Sequence, residues 1–390
     1  MIRVAVLGST GSIGRSALEV IGRHLDRFEV VALVANRSSE DLAVQVRSFK
    51  PAKAVLCDDT ADSPGGTAGT VWGSGWQALL DVVADPEVDV VVNALVGAAG
   101  LEPTLCALEA GHRLALANKE SLVAGGQLVV EAAREGGGEI VPIDSEHSAI
   151  LQCCEGHSSA EVHRVVLTAS GGPFRGRTLD DLWHVGPEEA LRHPTWDMGA
   201  KITIDSATLA NKALEVIEAH HLYGLGYDAI DAVIHPQSVI HSFVEFVDGS
   251  VLAQLGFPNM ELPILYALSY PDRINDAALR TYDPVAASPL TFEEIDHGAF
   301  PLFGLGVEAG RRGGCAPAAY NAGNEIAVQA FLEGRVRFPE MADVVNKSLE
   351  EVGSDVVRDV KDVFAADHAA RDVALEVVRR LSEARAGATS

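Results

Sequence analysis

Ser206, Asn211, Lys212 and Glu215 bring a hydroxyl, an amide, an ammonium and a carboxylate into one short stretch, KITIDSATLANKALEVIEA from Lys201 to Ala219. The alternation of Ile202 and Ile204 predicts a short strand. A helix then follows, carrying Leu209, Ala213, Leu214, Val216 and Ile217 at apolar spacing. Ser206 and Thr208 stand where helix N-caps stand, and a helix N-terminus attracts anions. Asn211, Lys212 and Glu215 are three and four apart, so they share one helical face. The hydroxyl, amide and ammonium suit a phosphate, whereas the carboxylate suits a hard metal ion. A capped amphipathic helix with an exposed ion pair would read the same way locally, so the rest of the chain has to decide.

Asp144 and Glu146 lie two apart in PIDSEHSAI, which reads as extended, so both carboxylates point to one side. Such a pair suits Mg²⁺ or Mn²⁺. His147 beside them is better placed to cap or pack than to ligate. Asn118-Lys119-Glu120-Ser121 begins a helix at a strand end, where Lys119 could reach a nicotinamide or a substrate oxygen. Ser170, followed by Gly171 and Gly172 at another strand end, offers a hydroxyl and free amides to a phosphate. LRHPTWDMGAK has no clear period and is a candidate lid over 192–200. Trp196 and Met198 would be its apolar covers, and His193 would contact substrate. His235, heading HPQSVIH, is given a structural role.

The elements that position these residues start with a strand, Ile2 to Leu7, which runs into GSTGSIG (Gly8 to Gly14) and a helix from about Arg15. That glycine spacing lets backbone amides approach a dinucleotide pyrophosphate at the helix N-terminus. The second strand, Glu29 to Ala35, ends in Asn36-Arg37-Ser38-Ser39 without the acid an NAD ribose wants. An arginine with hydroxyl and amide neighbours suits a 2′-phosphate, which favours NADP. Strands at Ala54–Leu56, Val88–Ala94 and His112–Ala117 alternate with helices, and PGGTAG (64–69) reads as a surface loop. A strand over Val162–Thr168 opens a second region. There, three further strands, with a hairpin at Asp248-Gly249, would lie antiparallel on one side of the site and could supply a dimer sheet.

The fold class expected is α/β. A Rossmann-like NADP-binding domain (1–145) precedes an α+β catalytic domain (146–275) that carries the helix ending at Pro271. A linker (276–300) then leads to a C-terminal helical bundle (301–390), read from PAAYNAGNEIAVQAFLEG and two more helices.

Composition narrows the function classes. The 390 residues carry a formal net charge of −25, which disfavours nucleic acid and anionic membranes as partners. An anionic substrate would have to be held by local basic clusters. The five cysteines show neither CxxC nor a zinc spacing, and no apolar run approaches a membrane span. With a strand pattern starting at Ile2, the expected location is the cytoplasm.

Taken together, GSTGSIG, ALANKESLVAGG, PIDSEHSAI, TASGGPF, HPTWDMG, KITIDSATLANKALEVIEA, IHPQSVIHS and YNAGNEIAV resemble, in order and to about residue 330, the 1-deoxy-D-xylulose 5-phosphate reductoisomerase family. Two segments depart from its pattern: HPTW stands where HPNW is expected, and ANRS where GKN is expected. The resemblance implies that Asp144, Glu146 and Glu215 hold one divalent metal, Mg²⁺, Mn²⁺ or Co²⁺. Ser145 and Lys119 would contact the substrate's hydroxyls and carbonyl. Ser170, His193, Ser206, Asn211 and Lys212 would grip its phosphate under a flap bearing Trp196 and Met198. NADPH would meet Thr10, Gly11, Ser12, Ile13, Asn36, Arg37, Ser38, Asn118, Glu120 and Gly199. The implied reaction is rearrangement of the ketose phosphate to an aldehyde and its reduction by NADPH to 2-C-methyl-D-erythritol 4-phosphate, in the non-mevalonate isoprenoid pathway. The family also implies a homodimer.

Two other readings compete. One is an NADP-dependent dehydrogenase acting on a semialdehyde through a cysteine thioester, with Cys153 or Cys154 as nucleophile. The other is a regulatory protein that binds NADP without turning it over, which would leave the carboxylates and phosphate-type residues unexplained.

Overall fold

The computed structural model describes residues 1–58, 69–196 and 198–389. Most of the loop expected at 64–69 lies outside the described residues. The chain divides into two compact units: Met1–Leu122 with Gly126–Leu151 and Asn259–Thr281, and Val123–Gly125 with Gln152–Pro258 and Tyr282–Ser390.

The first unit runs β1 (Ile2–Leu7), α1 (Ser12–Arg23), β2 (Phe28–Ala35), α2 (Ser39–Phe49), β3 (Lys53–Leu56), β4 (Val71–Ser74), α3 (Gly75–Val83), β5 (Val90–Asn93), α4 (Leu101–Glu109), β6 (Arg113–Leu116), α5 (Lys119–Gly125), α6 (Gln127–Gly136), β7 (Glu139–Pro142) and α7 (Ser145–Cys154). Its seven strands form one parallel sheet in the order β4-β3-β2-β1-β5-β6-β7. The reversal of order lies beside β1, and in open α/β sheets ligands bind outside the strands' carboxyl ends at such a point. Val4 to Leu7 are completely buried, as expected where helices cover both faces of a parallel sheet. β4, which joins the sheet edge, carries only four residues and no alternation a sequence reading could use.

The second unit holds β8 (Val162–Ala169), the short helices α8 (Leu179–Leu182) and α9 (Pro187–Ala190), then α10 (Ala200–Ala207), α11 (Ala210–Tyr223), β9 (Ile230–Ile234), β10 (Ile240–Phe246) and β11 (Val251–Leu255). These four strands make a mixed sheet, β11-β10-β8-β9. β10 is antiparallel to β8 and β11, but β9 runs parallel to β8, which corrects the all-antiparallel expectation. The correction follows from α11, a crossover helix that returns the chain in the same direction.

The helix α12 (Glu261–Ser269) was expected in the catalytic domain. Instead it packs in the first unit, where Ile264, Leu265, Ala267 and Leu268 share one core with Leu18 and Ile21 of α1. Arg23 fixes it there through Glu261 and Asp276. The 276–300 stretch is indeed largely irregular, with a single bridge from Glu293 to Ile234.

Beyond it come α13 (Pro301–Arg312), α14 (Ala316–Leu332), α15 (Glu340–Val352) and α16 (Val360–Thr389). They belong to the second unit rather than forming a compact unit of their own. α13, hidden in a glycine-rich run, explains why. A Cβ at Gly306 would stand 2.6 Å from Ala213 Cβ on α11 and 2.7 Å from Tyr320 Cζ on α14. One at Gly310 would stand 2.8 Å from Ile217 Cγ1. The bare face of α13 therefore lets α11 and α14 close on it.

The largest local correction falls in the organising stretch. Ile202 and Ile204 do not form a strand, because Ala200–Ala207 is helical and Thr203, Ile204, Asp205 and Ala207 are all buried. β-branched residues prefer strands only weakly, and burial on several sides overrides that preference. Lys201 and Asp205, four apart and 3.0 Å from each other, add a helical ion pair. The break before α11 is made by Leu209, held left-handed at φ 59° and buried. Such a conformation costs a leucine about 1–2 kcal/mol, which the surrounding packing must offset.

Candidate active site

In the first unit, Gly8 to Gly14 forms a tight turn between β1 and α1. A Cβ at Gly14 would lie 2.3 Å from the Gly8 carbonyl oxygen and 2.6 Å from Ser9 Cα, so the turn cannot close with any larger residue there. Gly11 caps α1 without a side-chain bond, and Gly11 and Ser12 are exposed. The first amides of α1 thus form an open anion cradle, flanked by the half-buried Thr10 and Ile13. At the end of β2, Asn36, Arg37 and Ser38 are exposed, and the Arg37 guanidinium donates to Asp58. Arg37 is 80% exposed at its side chain, so a competing phosphate can still reach it.

The Asn118 side chain is engaged within the first unit. It is buried, its amide donates to the carbonyls of Leu95 (2.9 Å) and Gly97 (3.0 Å), and its Oδ1 accepts the Ser121 amide at 2.9 Å. Its side chain is a knot tying the loop after β5 to the start of α5. A Cβ at Gly100 would come within 2.2 Å of that Oδ1. Glu120 lies beside the knot, 3.2 Å from Asn118 Nδ2. Lys119 is also buried and sends its Nζ to Asp144 Oδ2 at 2.9 Å.

Asp144 and Glu146 do not lie on an extended segment. Asp144 precedes α7, and its backbone carbonyl takes the Ser148 amide at 2.8 Å while its Oδ1 accepts the Glu146 amide at 3.2 Å. Glu146 stands in the first helical turn, and its Oε2 accepts the Ser145 hydroxyl at 2.5 Å. What brings the two acids close is a helix start rather than strand alternation. The start of α7, where backbone amides are free, is a place that suits carboxylates.

In the second unit, Ser170 follows β8 and lies 3.0 Å from His193 Nε2. His193 Nδ1 accepts two backbone amides, from Thr195 (3.1 Å) and Trp196 (2.9 Å), so the ring's proton belongs on Nε2 and donates to Ser170. Burial lowers the His193 pKa, in keeping with that neutral tautomer. Ser170 Oγ also accepts the Gly172 amide at 3.2 Å, which leaves its own hydroxyl proton to donate elsewhere. Gly172, at φ +64°, is the contact between this loop and α10: a Cβ there would stand 2.8 Å from the Ser206 carbonyl oxygen. Trp196 and Met198 are half-buried, Gly199 is exposed, and Thr203 Oγ1 donates to the Gly199 carbonyl at 2.9 Å.

On α11, Glu215 is 1% exposed, and its two oxygens accept from Asn211 and Lys212. Lys212 is itself 3% exposed, so the pair is buried and fully engaged. His235 holds structure, as expected. Its Nδ1 donates to the Thr291 carbonyl (2.9 Å), its Nε2 accepts the Val239 and Ile240 amides (both 3.2 Å), and its ring stacks on Phe292. Composition gave no hint of the Gly172 contact, which depends on which helix lies behind it.

The thioester reading meets resistance here. Burial raises the pKa of Cys57, Cys106, Cys154 and Cys315, the opposite of what a thiolate nucleophile needs. No helix among the described residues is long and apolar enough to cross a membrane.

Comparison with known proteins identifies the family. Residues 4–126 match the family model for 1-deoxy-D-xylulose 5-phosphate reductoisomerase, and residues 140–223 and 255–373 match models for C-terminal domains of that enzyme. The reductoisomerase of Nocardia farcinica is 52% identical over 97% of this chain and 95% of its own. That of Mycolicibacterium smegmatis is 50% identical over 98% and 96%. Among solved structures, the Zymomonas mobilis reductoisomerase in complex with NADPH superposes with a TM-score of 0.91, at 42% identity over 97% of this chain and 99% of that one. A reductoisomerase in complex with NADPH, fosmidomycin and magnesium gives 0.90 at 39% identity, covering 98% and 99%. The chain belongs to the 1-deoxy-D-xylulose 5-phosphate reductoisomerase family.

Proposed function

We propose that this protein converts 1-deoxy-D-xylulose 5-phosphate to 2-C-methyl-D-erythritol 4-phosphate, with NADPH as reductant and a divalent metal. The observation that carries this reading is the full-length likeness to reductoisomerases, at 52% identity over 97% of the chain. The metal assignment draws support from Asp144 and Glu146, close together at the start of α7, and from the buried carboxylate of Glu215 on α11. Three carboxylates make a hard, oxygen-only donor set suited to Mg²⁺ or Mn²⁺. When bound, such an ion supplies Lewis-acid polarisation to neighbouring substrate oxygens.

The chain's own residues do the rest. Lys119, oriented by Asp144, presents an ammonium to the substrate's carbonyl oxygen, and the Ser145 hydroxyl takes one of its hydroxyls. Ser170, with its proton freed by His193 and Gly172, joins Ser206, Asn211 and Lys212 on the substrate phosphate. That grip lies away from the reacting carbons and supplies binding energy for orientation. Trp196 and Met198 exclude water over the bound substrate. The amides at Gly11, Ser12 and Ile13 take the pyrophosphate of NADPH beside Thr10, while Asn36, Arg37 and Ser38 take its 2′-phosphate. Glu120 and Gly199 lie along the cofactor. Asn118, with its side chain spent, contributes by shaping the loop.

We assign the enzyme to the cytoplasm, a reading supported by five cysteines without a disulfide. Homodimerisation is supported by β11, an open edge strand with Val251 and Leu252 exposed. The test of the function is NADPH oxidation on addition of 1-deoxy-D-xylulose 5-phosphate, with and without Mn²⁺. Turnover that needs both metal and the ketose phosphate is expected. NADPH binding without turnover would leave the regulatory reading standing, and turnover abolished by thiol alkylation but not by EDTA would favour the dehydrogenase.

A further inference from the structure

A costly side chain in the second unit is Asn324, in the middle of α14. It is completely buried, its Nδ2 donates to Asp205 Oδ1 at 2.7 Å, and its own Oδ1 has no hydrogen-bond partner among the described residues. An unsatisfied buried carbonyl costs about 1–3 kcal/mol, and a leucine would fill similar space without that penalty. The asparagine is therefore there for its amide protons. Their acceptor, Asp205, is 1% exposed and also faces Lys201 Nζ at 3.0 Å. Burial and the nearby Asp205 charge hold the Tyr320 phenol, one turn earlier on α14, in its neutral form. A buried carboxylate with this few partners fixes geometry strongly, since moving away from them strands a charge.

Asp205 is one residue from Ser206, and α10 is gripped on two sides. Gly172 allows the Ser170 loop to touch α10 at Ser206 and Ala207, where a Cβ would stand 2.8 Å and 3.0 Å from their backbone atoms. Asn324 anchors the helix to α14 through the adjacent residue. The same short helix begins at the end of the flap, where Thr203 holds the Gly199 carbonyl. We propose that Asn324 is a positioning residue for the substrate phosphate: through Asp205 it sets where α10 lies, and so the spacing of Ser206 from Ser170. This rests on the reading that those two serines hold the phosphate.

The test compares four enzymes with the wild type: Asn324→Ala, the swap Asp205→Asn with Asn324→Asp, Ser206→Ala, and Asn324→Ser as a smaller donor should alanine not fold. For each, the KM for 1-deoxy-D-xylulose 5-phosphate, the KM for NADPH, kcat and Tm are measured. Asn324→Ala should raise the ketose phosphate KM about tenfold or more and leave the NADPH KM within about twofold. The swap restores a donor and an acceptor facing each other and should recover most of that loss. A merely structural residue would lower Tm without splitting the two KM values. That outcome, an equal rise in both KM values, or a swap that recovers nothing would overturn the proposal. If Ser206→Ala leaves the ketose phosphate KM unmoved, the phosphate reading itself fails and takes this inference with it. If Ser206→Ala raises that KM and Asn324→Ala does not, only the role of Asn324 is lost.

Discussion

The two units present their chemistry in different ways. In the first, the candidate groups sit where backbone ends create a site: a glycine turn after β1, an arginine after β2, a lysine after β6, and two acids at the start of α7. In the second, they sit on the loop after β8 and on the faces of α10 and α11, and depend on what packs behind them. Glu215 shows the contrast with Asp144. Asp144 is partly exposed and uses its own helix start, whereas Glu215 is 1% exposed and is held by two side chains of its own helix. Backbone-built sites tolerate few changes in the turn itself, and packing-built sites can be disturbed from a distance.

The largest effect should come from Glu215→Gln, which keeps shape and burial but removes the charge of the proposed metal ligand. Turnover at saturating Mg²⁺ should fall about a thousandfold or more, with NADPH affinity unchanged by fluorescence titration. Near-normal turnover would remove Glu215 from the metal site. Gly14→Ala comes next, since its Cβ would meet backbone 2.3 Å away and no side chain can yield. NADPH affinity should drop about a hundredfold, by the same titration. Gly172→Ala is the matched change in the second unit. Strained at φ +64° and pressed on Ser206, it should raise the ketose phosphate KM about tenfold or more and spare the NADPH KM. If each glycine variant disturbed both substrates alike, the contrast between the units would collapse.

The smallest effect concerns His193, whose pKa burial pushes below the ordinary histidine value. The unfolded chain then takes up this proton first, so the group's stability contribution is whole above the unfolded pKa, about 6.5, and is lost as pH falls towards the folded pKa. Thermal melts from pH 7.5 down to pH 5 should show wild type losing Tm more steeply than His193→Gln. Parallel curves would mean that His193 is not held neutral on its two amide donors.

The same contrast explains what could be read from residues alone. GSTGSIG was legible because a turn that needs Gly14 to close permits little else. The ANRS end of β2 was singled out because a ribose phosphate and a ribose hydroxyl want opposite charges. KITI misled because Ile and Thr look like a strand when nothing says that Asp205 will find Asn324, 119 residues away. D-x-E was read as extended because two residues apart are neighbours on a strand, but they are neighbours at a helix start as well. α12 was placed by its position in the chain, and only the apolar face of α1 shows where it belongs. α13 went unseen because glycines argue against a helix until α11 and α14 are there to press on them.

Each unit carries an internal counter-ion: Lys119 beside Asp144, and Lys212 beside Glu215. These lysines mean that the acids need not wait for a cation to be neutralised. Chelation should therefore silence the protein without unfolding it, and re-addition of magnesium should restore it at once. Were Asp144 and Glu215 to hold a cation, Lys119 and Lys212 would be left free to face an anionic substrate.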